Sequence, residues 1–134
     1  MQAATRDELC LAVPIDACSL ADLRWRAWSY LAAAGVASGM IEDVLIALHE
    51  AVANALLHSG ARDDVAVRVR AHGTSVVVEV VDTGRGIGPG VALPPRPPGL
   101  TDEGGRGLFM IWSLMSSVEF VPGPGTHLVM IKEL

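Results

Sequence analysis

Val76-Val77-Val78-Glu79-Val80-Val81-Asp82-Thr83-Gly84-Arg85-Gly86 is the stretch that decides the architecture of this 134-residue chain. A run of valines favours the pleated, half-buried backbone of a strand, and Asp82 followed by glycines ends it. Strand alternation puts Asp82 on the face that carries Val78 and Val80, at the rim of an apolar surface. Upstream, the turn His72-Gly73-Thr74 leads back to a second strand. There Val65, Val67, Val69 and Ala71 alternate with Ala66, Arg68, Arg70 and His72, which is the pattern of a half-buried strand.

Further upstream the period changes from two to 3.6. Ile41, Val44, Leu45, Leu48, Val52, Ala55 and Leu56 form an apolar stripe on a helix expected from about Ser38 to His58. At about 100° per residue, Glu50 is expected opposite the middle of that stripe, with Asn54 and His58 on its own side at one-turn intervals. An earlier helix, capped by Asp16 or Ser19, runs to about Ala34 with Gly35 as its stop. Trp25 and Trp28 on it are expected to pack at the core or its flank; exposure would mark a partner surface instead. Leu9 to Val13 reads as a first strand ended by Pro14.

Downstream, residues 83–103 are rich in glycine and proline and read as a long loop. A glycine turn then opens a third helix with Leu108, Ile111, Trp112 and Met115 inward. Ser117 to Val121 and Thr126 to Lys132 are strands joined by Pro122-Gly123-Pro124-Gly125, a hairpin signal. Strict alternation of strand and helix, which a parallel doubly wound sheet needs, is absent. The expectation is an α+β two-layer sandwich: a mainly antiparallel mixed sheet covered on one face by about three helices, all in a single domain over residues 1–134.

Composition narrows the function. Hydrophobic residues make up 51% of the chain, ample for one core, and the net charge of -5 argues against nucleic acid and anionic membranes as direct partners. No apolar run reaches the roughly 20 residues of a membrane span. The two cysteines, Cys10 and Cys18, have no second pair; Cys10 lies in an apolar run and is expected to be a buried thiol in a reducing cytoplasm.

The residues that could carry chemistry come in a fixed order. Glu50-Ala51-Val52-Ala53-Asn54 is followed by Asp82-Thr83-Gly84-Arg85-Gly86 and by Gly104-Gly105-Arg106-Gly107. Mg²⁺ takes oxygen ligands and is usually shared with substrate phosphates; the Asn54 amide could supply one oxygen without adding negative charge. Glu50, one turn earlier, could accept a proton from a hydroxyl attacking a γ-phosphate. Asp82 could accept from the amino group of adenine, while Gly84 and Gly86 let backbone pass close to a flat base. Gly104 to Gly107 offer backbone N–H groups at a helix start, a natural anion site, where Arg106 could add a charge-assisted contact. Taken singly, each reads more readily as a solvated helix residue or an ordinary turn, and the downstream motifs reverse that. Walker, nucleophile-elbow and Cys-His patterns are absent, and His49 and His58 have no companions at metal-ligand spacing.

The ordered set resembles the Bergerat-fold ATPase superfamily of gyrase, heat-shock chaperone, sensor histidine kinase and mismatch-repair ATPases. Within it, the likeness is closest to bacterial anti-sigma-factor serine/threonine kinases. Glu50 to Ala55 with His58 looks like the family's N box, Asp82 to Ile87 like its adenine motif, and Gly104 to Leu108 with Ile111 like its phosphate-binding glycine box. Gly123 to Met130 resembles its last hairpin, whose Thr, here Thr126, lies beside the adenine-binding Asp. The likeness spans about residues 8–133.

By that resemblance Glu50 would be the catalytic base and Asn54 the Mg²⁺ ligand. His58, Asp82, Gly84, Gly86, Ile87, Gly105, Arg106, Gly107, Leu108 and Thr126 would complete the ATP or ADP site. Residues 88–103, with five prolines, would form a lid over it that nucleotide orders. The implied function is an ATP-dependent protein serine/threonine kinase acting as an anti-sigma factor or partner switch in transcription regulation. It would bind a sigma factor, phosphorylate a small anti-anti-sigma antagonist, and could form a homodimer. The alternative is a non-catalytic, ATP-gated binding module of the same fold with Glu50 idle. A detached sensor-kinase ATPase ranks last, because only about eight residues precede the first strand and carry no phosphoaccepting histidine.

Overall fold

The computed structural model describes residues 3–4, 8–14, 20–58, 64–84, 93–95 and 106–134, with Ala3, Ala4 and His58 described as backbone only. The elements, in chain order, are β1 (Ala3–Ala4), β2 (Leu9–Val13), α1 (Leu20–Ala33), α2 (Ser38–His58), β3 (Val65–His72), β4 (Ser75–Asp82), α3 (Arg106–Leu114), β5 (Ser117–Phe120) and β6 (Thr126–Glu133). The strands form one sheet in the order β1-β2-β3-β4-β6-β5. Every pairing among them is antiparallel, which is stricter than the mainly antiparallel mixed sheet the sequence suggests.

The helices lie on one face. Val65, Val67 and Val69 of β3, Val76, Val78 and Val80 of β4, and Leu128 and Met130 of β6 are all buried there. They join Leu23, Ala27 and Leu31 of α1, Ile41, Val44, Leu48 and Val52 of α2, and Ile111 of α3 in a single core. The result is the α+β two-layer sandwich. Gly35, at φ 85°, ends α1 as expected: Val36 N–H donates to Leu31 O at 3.1 Å and Gly35 N–H to Ala32 O at 3.0 Å. That is the paired bond of a Schellman cap, with Val36 and Leu31 both buried beneath it. Among the described residues no helix is long and apolar enough to cross a membrane.

Three expectations change. Trp25 and Trp28 do not pack at the core: they are 66% and 43% exposed and stack on each other with centroids 6.0 Å apart. The buried stripe of α1 is Leu23, Ala27 and Leu31, which leaves both indoles on the outer side. Cys10 is half-buried rather than buried, because it points to the sheet face that no described helix covers. Glu50 is not opposite the core. Ile46 and Leu57 hold the exposed pole of α2, and Glu50 sits half-buried on a flank.

Ala47 and Ala51 explain the flank: both are buried, between the core stripe of α2 and the Glu50–Asn54 edge that α3 approaches at Gly107. Their small side chains let the two helices approach closely. The carboxylate of Asp43 lies 3.0 Å from Lys132 Nζ of β6, and that ammonium donates to Leu114 O, the last carbonyl of α3, at 2.5 Å. A cation on a helix C-terminus opposes the helix dipole, so the pair fastens both helices to the sheet.

Candidate functional site

The expected site residues that fall within the described structure form two groups. The first lies between α2 and α3. Gly107, in the first turn of α3, faces Glu50 and Asn54: a β-carbon built on it would stand 2.7 Å from Glu50 Oε2 and 3.5 and 3.6 Å from the two polar atoms of the Asn54 amide. A β-carbon there would crowd the end of the Glu50 side chain, and glycine leaves that space open. The two amide atoms are almost equidistant from it, so either assignment of the amide leaves an oxygen there. Among the described residues neither the Glu50 carboxylate nor the Asn54 amide has a side-chain partner, and both stand beside the N-terminus of α3.

That N-terminus supplies the electrostatics. The first N–H groups of a helix have no partner within it and carry a partial positive charge. Arg106, exposed at the head of α3, adds a full one. Leu108 is half-buried against the core and anchors the turn, and Ile111 is fully buried one turn on. The helix start is thereby held against Glu50 and Asn54 by packing behind it.

The second group lies where β4 ends. Asp82 is 3% exposed and is the only buried polar or charged residue among those described. It shares the core-facing side of β4 with Val78 and Val80, as strand alternation predicts. Gly84 N–H donates to Asp82 Oδ1 at 2.8 Å, closing a small turn that fixes the carboxylate. Its other oxygen has no hydrogen-bond partner among the described residues. Thr126 is the direct cross-strand partner of Asp82, on the same face and half-buried.

One residue here escaped the sequence reading. Gly125 has φ 71°, a left-handed conformation that side chains with a β-carbon rarely adopt. A β-carbon on it would also collide with the backbone carbonyl oxygen of Asp82 and stand 3.1 Å from Thr83 Cα. Gly125 therefore lets the β5–β6 connection close onto the end of β4. The signal was in the sequence as Pro122-Gly123-Pro124-Gly125, but it read only as a hairpin turn.

His58 ends α2, with its backbone alone described. Gly86, Ile87, Gly104, Gly105, Cys18, the capping candidates Asp16 and Ser19, and all of the lid except 93–95 lie outside the described residues. His49 is half-buried with Nδ1 unpartnered, and His127 of β6 likewise has a buried, unpartnered Nε2.

The fold recurs among solved structures. The chain superposes on the RsbU and RsbW domains of Rv1364c from Mycobacterium tuberculosis with a TM-score of 0.71 and 21% sequence identity, over 95% of this chain and 32% of that one. It therefore spans about a third of that protein's length, and what the two share is the fold. No curated protein matches the chain. The family of the histidine kinase-like ATPase domain, however, matches residues 13–132. That span takes in both groups around Glu50 and Asp82, and the chain belongs to the histidine kinase-like ATPase family, the Bergerat-fold group its motifs resemble.

Proposed function

We propose that this chain is an ATP-dependent protein serine/threonine kinase that works as an anti-sigma factor or partner switch, with a small anti-anti-sigma antagonist as its substrate. The observation that carries the reading is the meeting of Glu50, Asn54 and Gly107 at the head of α3. A binding module needs an anion site and a metal ligand. It has no use for a carboxylate at the same point that is unpaired among the described residues, and a phosphoryl transferase does.

The residues fit the ligands that the family implies. Asp82, buried and with one oxygen unpartnered among the described residues, suits the exocyclic amine of adenine and would face the carbonyl of guanine. Among the described residues no three His, Cys, Asp or Glu side chains converge as a metal site. A Mg²⁺ ion held through Asn54 would thus take its other ligands from phosphate and water, as Mg²⁺ commonly does. When bound, that ion neutralises charge on the phosphates.

The chain's own residues do the rest. Arg106 and the first N–H groups of α3, with those expected at Gly105, hold the phosphates. Glu50 accepts the proton from a serine or threonine hydroxyl as its oxygen bonds to the γ-phosphorus; the bond to the β-phosphate oxygen breaks and ADP leaves. Leu108 and Thr126 line the pocket, His58 and Ile87 complete it, and residues 88–103 act as its lid. The whole chain serves as one such domain in the cytoplasm.

The test is incubation with Mg-[γ-³²P]ATP and candidate small anti-anti-sigma-type proteins from the same genome. Label on a serine or threonine of the antagonist, absent when Asn54→Ala replaces the wild type, supports the kinase. Retained nucleotide binding with no label on any candidate would favour the ATP-gated binding module.

A further inference from the structure

Lys132 is the one lysine among the ten Lys and Arg residues of the chain, and it stands where three elements meet. Strand alternation puts it on the helix side of β6 with Leu128 and Met130, in register with buried Val76 of β4. Its side chain is mostly buried, and its ammonium joins Asp43 Oδ2 of α2 to Leu114 O of α3 at 3.0 and 2.5 Å. A compact ammonium with three rotatable donors serves two such close acceptors, where a planar guanidinium needs more room.

Spacing along the two helices gives this contact its reach. Asp43 precedes Glu50 by seven residues on α2, and Leu114 follows Gly107 by seven residues on α3. Seven residues fall just short of two turns, about 10 Å of axis, so Asp43 and Glu50 project from the same side of α2. The head of α3 lies at Glu50 and its end is tied to Asp43, so the two helices run antiparallel. They form two equal arms, closed at one end by Lys132 and at the other by Glu50 and Gly107.

Little else on α2 holds the arms at a set distance. Between the two ends it offers buried Ala47 and Ala51, whose short side chains interlock weakly with a neighbouring helix. The chain just past α3 is sewn to β6, with Ser116 N–H donating to Ile131 O and Glu133 N–H to Ser116 Oγ, both at 2.8 Å. Those bonds fix the end of α3 to the sheet. Of the three contacts, only the Lys132 ammonium also takes hold of α2.

We propose that Lys132 is a positioning residue for the nucleotide site. By drawing the end of α3 and the second turn of α2 onto one cation, it sets the gap between Glu50, Asn54 and the head of α3, about 10 Å away. Without the ammonium, the Asp43 carboxylate and the last carbonyl of α3 repel each other, and the arms are free to part at Gly107. The inference rests on the nucleotide site of the reading above but not on phosphoryl transfer. A chain that binds Mg-ATP yet labels no antagonist would end the kinase reading and leave this one standing.

Calorimetric titration with Mg-ATP, beside chemical denaturation of the same chains without nucleotide, is the test. Lys132→Met keeps an apolar stem and removes the charge. It should weaken Mg-ATP binding by about tenfold or more, the usual scale for a group that orients a ligand contact. Lys132→Arg keeps a cation for both acceptors and should return the affinity to within about threefold of the wild type. A merely structural lysine would lower the denaturation midpoint and leave the affinity of the folded chains unchanged. Should Lys132→Met fail to fold, Asp43→Asn removes the charge from the other side of the pair and should weaken binding by about threefold or more. Wild-type affinity in Lys132→Met, or in Asp43→Asn where that variant stands in for it, overturns the proposal. So does a Lys132→Arg chain that binds as poorly as Lys132→Met. A wild type with no affinity for Mg-ATP overturns this inference and the kinase reading together.

Discussion

The two corners of the candidate site are built by different means. Asp82 is set by backbone: it ends a central strand, is paired in register with Thr126, is clasped by Gly84 N–H, and is overlaid by Gly125. Glu50 is set by packing: it stands where two helices approach, with only the missing β-carbon of Gly107 to keep its carboxylate clear. The first arrangement suits an anchor, which must not move when ligand arrives. The second suits a group that must accept a proton and release it, because the far end of a glutamate can shift without disturbing the fold.

Disturbing the backbone-built corner should have the largest effect. Gly125→Val forces a β-branched residue into a left-handed conformation and drives its β-carbon into the Asp82 carbonyl. Strain of that kind costs about 1–3 kcal/mol before the collision is counted. Thermal unfolding should shift down by many degrees, with nucleotide binding lost. A variant with wild-type melting and affinity would show that the connection does not position Asp82.

The packing-built corner should separate chemistry from binding. Glu50→Gln keeps the shape of the side chain but removes the base, so phosphoryl transfer should fall by roughly 10²–10⁴-fold with nucleotide affinity near wild type. Single-turnover transfer at the wild-type rate would reduce Glu50 to a packing residue.

Gly107→Ala should have the smallest effect on the fold and is the most instructive about the comparison. Alanine favours the helix by about 1 kcal/mol over glycine. The new β-carbon would crowd the end of the Glu50 side chain, which can swing away. Stability should stay within about 1 kcal/mol of wild type, by chemical denaturation, while transfer drops about tenfold or more. A stability loss of several kcal/mol, or unchanged turnover, would mean that the helices do not meet as described.

Much of this was legible in sequence, and the exceptions have physical causes. The period of two in Val76 to Asp82 fixes which way Asp82 points, and a buried strand face leaves no second choice. Glu50 sits elsewhere than expected because Ala47 and Ala51 weigh little in an apolar stripe, yet both are buried and carry the covered arc of α2 round towards Glu50. A stripe centred on Leu48 and Val52 puts Glu50 opposite it, whereas the wider buried arc that includes Ala47 and Ala51 brings its edge nearer to Glu50. Gly125 went unseen because its role depends on a strand more than forty residues earlier in the chain. Trp25 and Trp28 show the limit of residue type as a guide: large apolar side chains end up outside when the helix stripe passes them by.

The claim on which the account turns is that the buried carboxylate at the end of β4 reads adenine. Calorimetric titration with Mg-ATP and Mg-GTP, on the wild type and on Asp82→Ala, tests it directly. The account predicts that the wild type prefers ATP and that Asp82→Ala weakens ATP binding by about 1–3 kcal/mol, the cost of losing a buried hydrogen-bond anchor. Equal affinity of the wild type for the two nucleotides, or an Asp82→Ala variant that binds ATP as tightly as the wild type, would contradict it.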